Sequence, residues 1–152
     1  MRQTLSKREV CKILGVNSRT IDRWIFLEIL RPVETENGLR YSLLTTLAIG
    51  LGRDLRQRGF STKQIGNVIE WLYDRSLDEL QSEWKAGRTH LLSVAGCPPF
   101  PKLFSREAIF GNPAVDLEAA FKSGVSVIDV AEEYRKIVAK LDAEPKRERC
   151  TA

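Results

Sequence analysis

Two arginines four residues apart, Arg19 and Arg23, sit among hydroxyl side chains in Ser18-Arg19-Thr20-Ile21-Asp22-Arg23-Trp24, and a third, Arg40, follows Asn37-Gly38 after one residue. A guanidinium presents a planar fork of donors that fits a phosphate or the acceptor edge of a base, and serine and threonine hydroxyls can serve the same partners. That chemistry is recognition of a polyanion and breaks no bond. The residues that could do bond chemistry are poorly arranged for it. His90 is the single histidine and cannot build a multi-histidine metal site. Cys11, Cys97 and Cys150 lie far apart without the C-x-x-C pairing of a zinc or redox centre, and they read as reduced thiols. Ser126, Asp129 and Tyr134 carry no nucleophile signature, and Asp116 and Glu118 read as helix-face or cap charges. No catalytic residue, metal or cofactor is expected.

The charge distribution supports the same chemistry. The 152-residue chain carries a formal net charge of +4, yet residues 1–75 hold 13 Lys/Arg against 8 Asp/Glu while the remainder is close to neutral. A basic half joined to a neutral half suggests a polyanion-binding module with a partner module of another kind. No apolar run approaches the roughly 18 residues of a membrane span, and Met1 to Glu9 lacks the apolar core of a secretory signal, so a cytoplasmic location is expected.

The elements that must position the arginines can be read from caps and periodicity. Ser6 with Glu9 forms a capping box, and Leu5 with Val10 a hydrophobic staple, so a helix begins here; Val10, Ile13 and Leu14 share its buried face and Gly15 ends it. Asn17 or Ser18 caps a second helix almost at once, and two short helices joined so tightly pack at a steep angle, as in a helix-turn-helix. Ile21, Trp24 and Ile25 form its inward stripe, which leaves Ser18, Arg19, Thr20 and Arg23 outward. Recognition helices meet the major groove with their N-terminal residues, so Arg19 and Arg23 are the expected readers of duplex DNA. Pro32 forbids further helix, and Asn37-Gly38 at the centre of Val33 to Tyr41 predicts a hairpin with both turn residues at positive φ, a wing from which Arg40 can reach a flanking phosphate. Ser42 then caps a helix with Leu44, Leu47, Ala48, Leu51 and Leu55 at helical spacing, ended by Gly59. Ser61 with Gln64 and Phe60 with Ile65 repeat the box and staple before a fourth helix through Leu72. The run Arg53, Arg56 and Arg58 reads either as further phosphate contacts or as solvated charge.

This order of elements resembles the DNA-binding domain of the MerR superfamily of bacterial regulators over about residues 4 to 73. The likeness rests on Val10-Cys11-Lys12-Ile13-Leu14-Gly15-Val16 for the first helix and turn and Ser18-Arg19-Thr20-Ile21 for the start of the recognition helix. Gly38-Leu39-Arg40-Tyr41 matches the wing and Arg58-Gly59-Phe60-Ser61 the junction of the last two helices. The resemblance implies that Ser18, Arg19, Thr20, Arg23 and Trp24 lie at or beside the DNA and that Arg40 touches the backbone. Trp24 keeps two readings, core packing or a phosphate contact through its indole N–H. The chain departs from the family with Asp22 in place of an arginine, Arg23-Trp24 in place of two tyrosines, and Glu28 in place of a glycine. Arg-Trp is closer to the excisionase-like and short, effectorless branches. The long pairing helix of the larger members is not expected after Leu72, nor is metal sensing by their usual route.

The expected fold is α+β: a winged helix-turn-helix over residues 1–75, a linker helix over 76–87, a small α+β unit over 88–145 and a disordered tail over 146–152. Strands are expected at Leu91 to Ala95, Lys102 to Ile109 and Val125 to Val130, with Gly96 to Pro101 as a rigid turn and a helix carrying Tyr134, Ile137, Val138 and Leu141. A unit that small buries little surface alone and should pack on the first half, on a second copy, or on both. The function expected is sequence-specific binding of double-stranded DNA by a bacterial transcriptional regulator, homodimeric through its C-terminal half, with room for a small-molecule or protein effector. The alternatives are an architectural or recombination-directionality factor and a protein-interaction module, the latter on account of the acidic Asp22 and Glu28.

Overall fold

The structure, a computed structural model, describes residues 4–94, 103–105, 108 and 125–143. Strand β1 (Thr4–Leu5) leads into helix α1 (Lys7–Leu14) through the expected capping box: Ser6 Oγ accepts from the Glu9 amide, and the Glu9 carboxylate accepts from the Ser6 amide. Gly15 ends α1 at φ 65°, a left-handed conformation that costs glycine nothing, with its amide bonded to Cys11 O. Asn17 then caps α2 (Ser18–Phe26) by accepting from the Arg19 amide, so the elbow between the helices is three residues long. The wing is β2 (Val33–Thr35) paired with β3 (Gly38–Ser42), and β1 joins β3 on its other edge to give the order β1-β3-β2.

The wing differs from its sequence expectation by one residue. Thr35 pairs with Gly38, which places Glu36-Asn37 in the turn and Gly38, at φ 95°, as the first residue of β3. A single positive φ thus suffices, supplied by the glycine that follows an ordinary two-residue turn. The Thr35 hydroxyl donates to Gly38 O and closes the tip.

Helix α3 (Leu43–Gln57), capped by Ser42, is the centre of the molecule. The apolar spacing marks one buried stripe, but burial extends round most of the helix and includes Thr45, Thr46, Ile49, Gly50 and Gly52 as well as Leu47, Ala48, Leu51 and Leu55. The two buried threonines are paired, Thr46 Oγ1 to Ser42 O and Thr45 Oγ1 with the Tyr73 hydroxyl at 2.9 Å. Helix α4 (Thr62–Tyr73) follows Gly59, at φ 88°, and opens on the Ser61/Gln64 capping box with Phe60 and Ile65 buried as a staple.

Helix α5 (Leu77–Lys85), capped by Ser76, turns at Gly87 directly into β4 (Arg88–Val94). The strand begins three residues ahead of its expected start. β5 (Leu103–Ser105) and β6 (Val125–Asp129) pair antiparallel with β4 on its two edges, and helix α6 (Val130–Ala143) follows β6 without a loop. Leu80, Leu91, Leu103, Ile128, Val130, Tyr134 and Ile137 belong to the same continuous core as the side chains of α1 to α4. Arg58 adds a polar link, donating to Val127 O at 3.0 Å. The expected turn over Gly96 to Pro101, Cys97, Cys150 and the tail over 146–152 lie outside the described residues.

Candidate nucleic-acid interface

Burial separates the two faces of α2 over its first two turns, while at its end Ile25 of the expected inward stripe is half-buried and Phe26 is exposed. Ile21 and Trp24 are buried, whereas Ser18, Arg19 and Arg23 are exposed and Thr20 is half-buried at the edge. The outward group is therefore gathered on the first turns of the helix, beside the Asn17 cap, where the positive end of the helix dipole favours an anion. Trp24 is 2% exposed, and its six-membered ring lies against Gly52 of α3. A Cβ at Gly52 would come within 2.8 Å of Trp24 Cη2, so the glycine makes the space in which the recognition helix seats. Core packing is the contact the geometry provides for Trp24, while its edge also helps line a surface depression of about 370 Å³ with Gly15, Asn17, Thr20, Arg53 and Arg56.

Asp22, the residue most at odds with a surface for DNA, is engaged by its own fold. Lys7 Nζ donates to Asp22 Oδ1 at 2.7 Å, which ties the start of α1 to the middle of α2. That hydrogen bond holds the Lys7 ammonium above its ordinary pKa. Cys11 is partly enclosed nearby, and burial pushes its thiol pKa up, away from the reactive thiolate. Glu28 is not on the helix. It stands one residue past the C-cap Leu27 at φ 60°.

The three arginines of α3 and its C-terminal end have separate fates. Arg53 turns inward and donates to Leu14 O, with Asp54 Oδ1 at 3.1 Å and Glu133 Oε2 at 3.7 Å. Arg58 is committed to Val127 O. Arg56 reaches the recognition helix, where Nη1 approaches Thr20 Oγ1 at 3.4 Å. Sequence reading left these three undifferentiated because their spacing says nothing about which neighbours enclose α3. On the wing, Arg40 lies back against β1, with Nη2 donating to Thr4 O at 3.2 Å and Nε to Thr4 Oγ1 at 3.4 Å. Its guanidinium is thereby held against β1 beside the wing.

The base of the wing is fixed as well. The Arg31 amide donates to the Tyr73 hydroxyl at 3.0 Å, and the Arg31 guanidinium lies 5.0 Å from the Tyr73 ring centre, which ties the segment between α2 and β2 to α4. A short helix pair with an exposed, cationic second helix and a wing held beside it defines a winged helix-turn-helix, the class of domain that reads duplex DNA. Residues 5–71 match the family model described as MerR HTH family regulatory protein. Residues 5–71 therefore form a MerR-type helix-turn-helix domain, the DNA-binding part of a family of transcription regulators. No curated protein matches the chain. Among the described residues no helix is long and apolar enough to cross a membrane.

Proposed function

We propose that the chain is a sequence-specific regulator that binds duplex DNA as a homodimer in the cytoplasm, each α2 entering a major groove and each wing resting on the flanking backbone. Arg19 and Arg23 read base edges, the Ser18 and Thr20 hydroxyls hold the adjoining phosphate, and Arg40 and Arg56 anchor the backbone on either side. Trp24 acts from beneath, by seating α2 on α3. The observation that carries this reading is the exposure of Ser18, Arg19 and Arg23 on the capped end of a helix whose opposite face is buried. One such unit reads only a few base pairs, so two copies at half-sites one helical turn apart, about 34 Å, or a multiple of that, supply the specificity. Residues 88–145 form the dimerising or effector-sensing part.

The experiment is a titration of the full chain against a duplex obtained by selection from random sequence, repeated at several salt concentrations and with single variants. Log K should fall with log salt at a slope of about −0.9 per phosphate contacted. Arg19→Ala and Arg23→Ala should each cost ~1–3 kcal/mol and relax preference at one base position, whereas Arg40→Ala and Arg56→Ala should weaken all duplexes alike and flatten the salt slope by about one. A salt-independent affinity sinks the DNA reading. Equal losses from all four variants with preference intact would show that readers and anchors are wrongly assigned.

A further inference from the structure

The last turn of α1 is held from outside by two cations, one of which comes from the far end of the chain. An α-helix leaves its final carbonyls without helical partners and carries partial negative charge there. Lys140 of α6 donates to Ile13 O at 2.7 Å, and Arg53 of α3 donates to Leu14 O. Arg53 also faces Glu133 of α6, so one guanidinium spans α1, α3 and α6. Gly50 marks the point where the three helices meet. A Cβ built there would lie 3.4 Å from Leu14 Cδ2 and 4.0 Å from both Ile137 Cδ1 and Glu133 Oε2. Ile137 is buried in this seam, and α6 also packs on β4 of the C-terminal sheet.

From this geometry we propose that α6 positions the helix-turn-helix: it fixes the elbow between α1 and α2, so that a displacement of the C-terminal sheet is passed to the recognition helix. Only Gly15, Val16 and Asn17 separate α1 from α2, which leaves little chain to absorb a rotation of α1's last turn. Lys140 is well suited to set geometry with little effect on overall stability, because it is an exposed side chain making a single bond to a carbonyl. Its consequence for DNA rests on the function proposed above; its effect on the elbow does not.

The test uses the full chain with Lys140→Met, which keeps an apolar stem of similar length and removes the donor, and Lys140→Arg, which restores one. Ile137→Ala serves as a second route to the same displacement. Without DNA, native-state hydrogen exchange at the amides flanking the elbow, Gly15 bonded to Cys11 O and Thr20 and Ile21 bonded to Asn17 O, should speed up about fivefold in Lys140→Met, the size expected for one exposed hydrogen bond of ordinary net strength. Amides of α4 from Ile65 to Leu72 should keep their rates, and Lys140→Arg should recover the elbow. With DNA, the ratio of affinity for the selected duplex over a scrambled one should fall about fivefold at unchanged salt slope. Unchanged elbow exchange, or equal acceleration everywhere, overturns the positioning role. A loosened elbow with an unchanged affinity ratio overturns the link to DNA reading. If the wild-type chain binds no duplex, the function proposed above fails and the exchange measurement decides the positioning role by itself.

Discussion

Glu28→Gly should stabilise the protein, by an amount that follows from the end of the recognition helix. The Ile29 amide bonds to Trp24 O and the Glu28 amide to Ile25 O, the paired 6→1 and 5→2 bonds of a Schellman motif, which needs a left-handed residue at its C′ position. Glu28 occupies that position at φ 60°, the sole non-glycine residue at positive φ among the described residues. An L-residue pays about 1–2 kcal/mol for that conformation. Glycine relieves it but gives back ~0.4–1 kcal/mol because its unfolded chain is freer. The Glu28 side chain is exposed and makes no hydrogen bond or ion pair among the described residues, so no contact offsets the gain. The net expectation is about 0.5–1 kcal/mol, or a Tm rise of roughly 1–4 °C for a chain of this size. Urea unfolding followed by circular dichroism should show a higher midpoint with an unchanged m value. Glu28→Ala keeps the Cβ and the backbone strain and should show no such gain. A fall in stability for Glu28→Gly, or an equal rise for Glu28→Ala, would refute the argument from backbone conformation.

Gly52→Ala should have the opposite effect. The new Cβ would press into the rigid Trp24 indole at 2.8–2.9 Å; overpacking costs about 1–3 kcal/mol, only partly offset by alanine's helix propensity of up to ~1 kcal/mol. A lower urea midpoint with altered tryptophan emission is expected, and wild-type stability would show that α2 does not seat there. Glu133→Gln probes the seam between α3 and α6. Burial, then the hydrogen bond and repulsion from Asp54, raise the Glu133 pKa against the opposing pull of Lys136 and Arg53. A carboxyl whose folded pKa lies above its unfolded value adds stability below the unfolded pKa and loses it as pH rises through the folded one. The wild type should therefore lose stability over that rise, while the Gln variant should be at least as stable at pH 7 and show a flatter dependence in thermal melts between pH 4 and 7. An unchanged pH profile would remove Glu133 as its cause.

Much of the reading domain was legible in the sequence because its signals are local. The capping boxes at Ser6/Glu9 and Ser61/Gln64, the Gly15 stop and the Asn17 cap each lie within one helical turn, and each is present in the structure. The outward set Ser18, Arg19, Thr20 and Arg23 followed from helical period alone, and of these Thr20 is half-buried in the structure. The wing was legible as a hairpin but its turn was shifted by one residue, since a glycine at positive φ serves both arrangements and local sequence does not separate them. The burial of α3 on most sides was not legible: periodicity reports one stripe, whereas enclosure by α4 and α6 depends on helices that arrive from later in the chain.

By itself, the sequence determined where helices begin and end, which face of α2 is apolar, and that the basic charge sits in the first half, because caps, periodicity and composition act over a few residues. The tertiary structure alone decided which arginine serves which partner. Arg53, Arg56 and Arg58 are equivalent in sequence, yet packing sends one to Leu14 O, one to Thr20 and one to Val127 O. It also decided that Lys140 closes the end of α1 across 127 residues of chain. Such contacts depend on which surfaces the core brings together, and no local pattern encodes that.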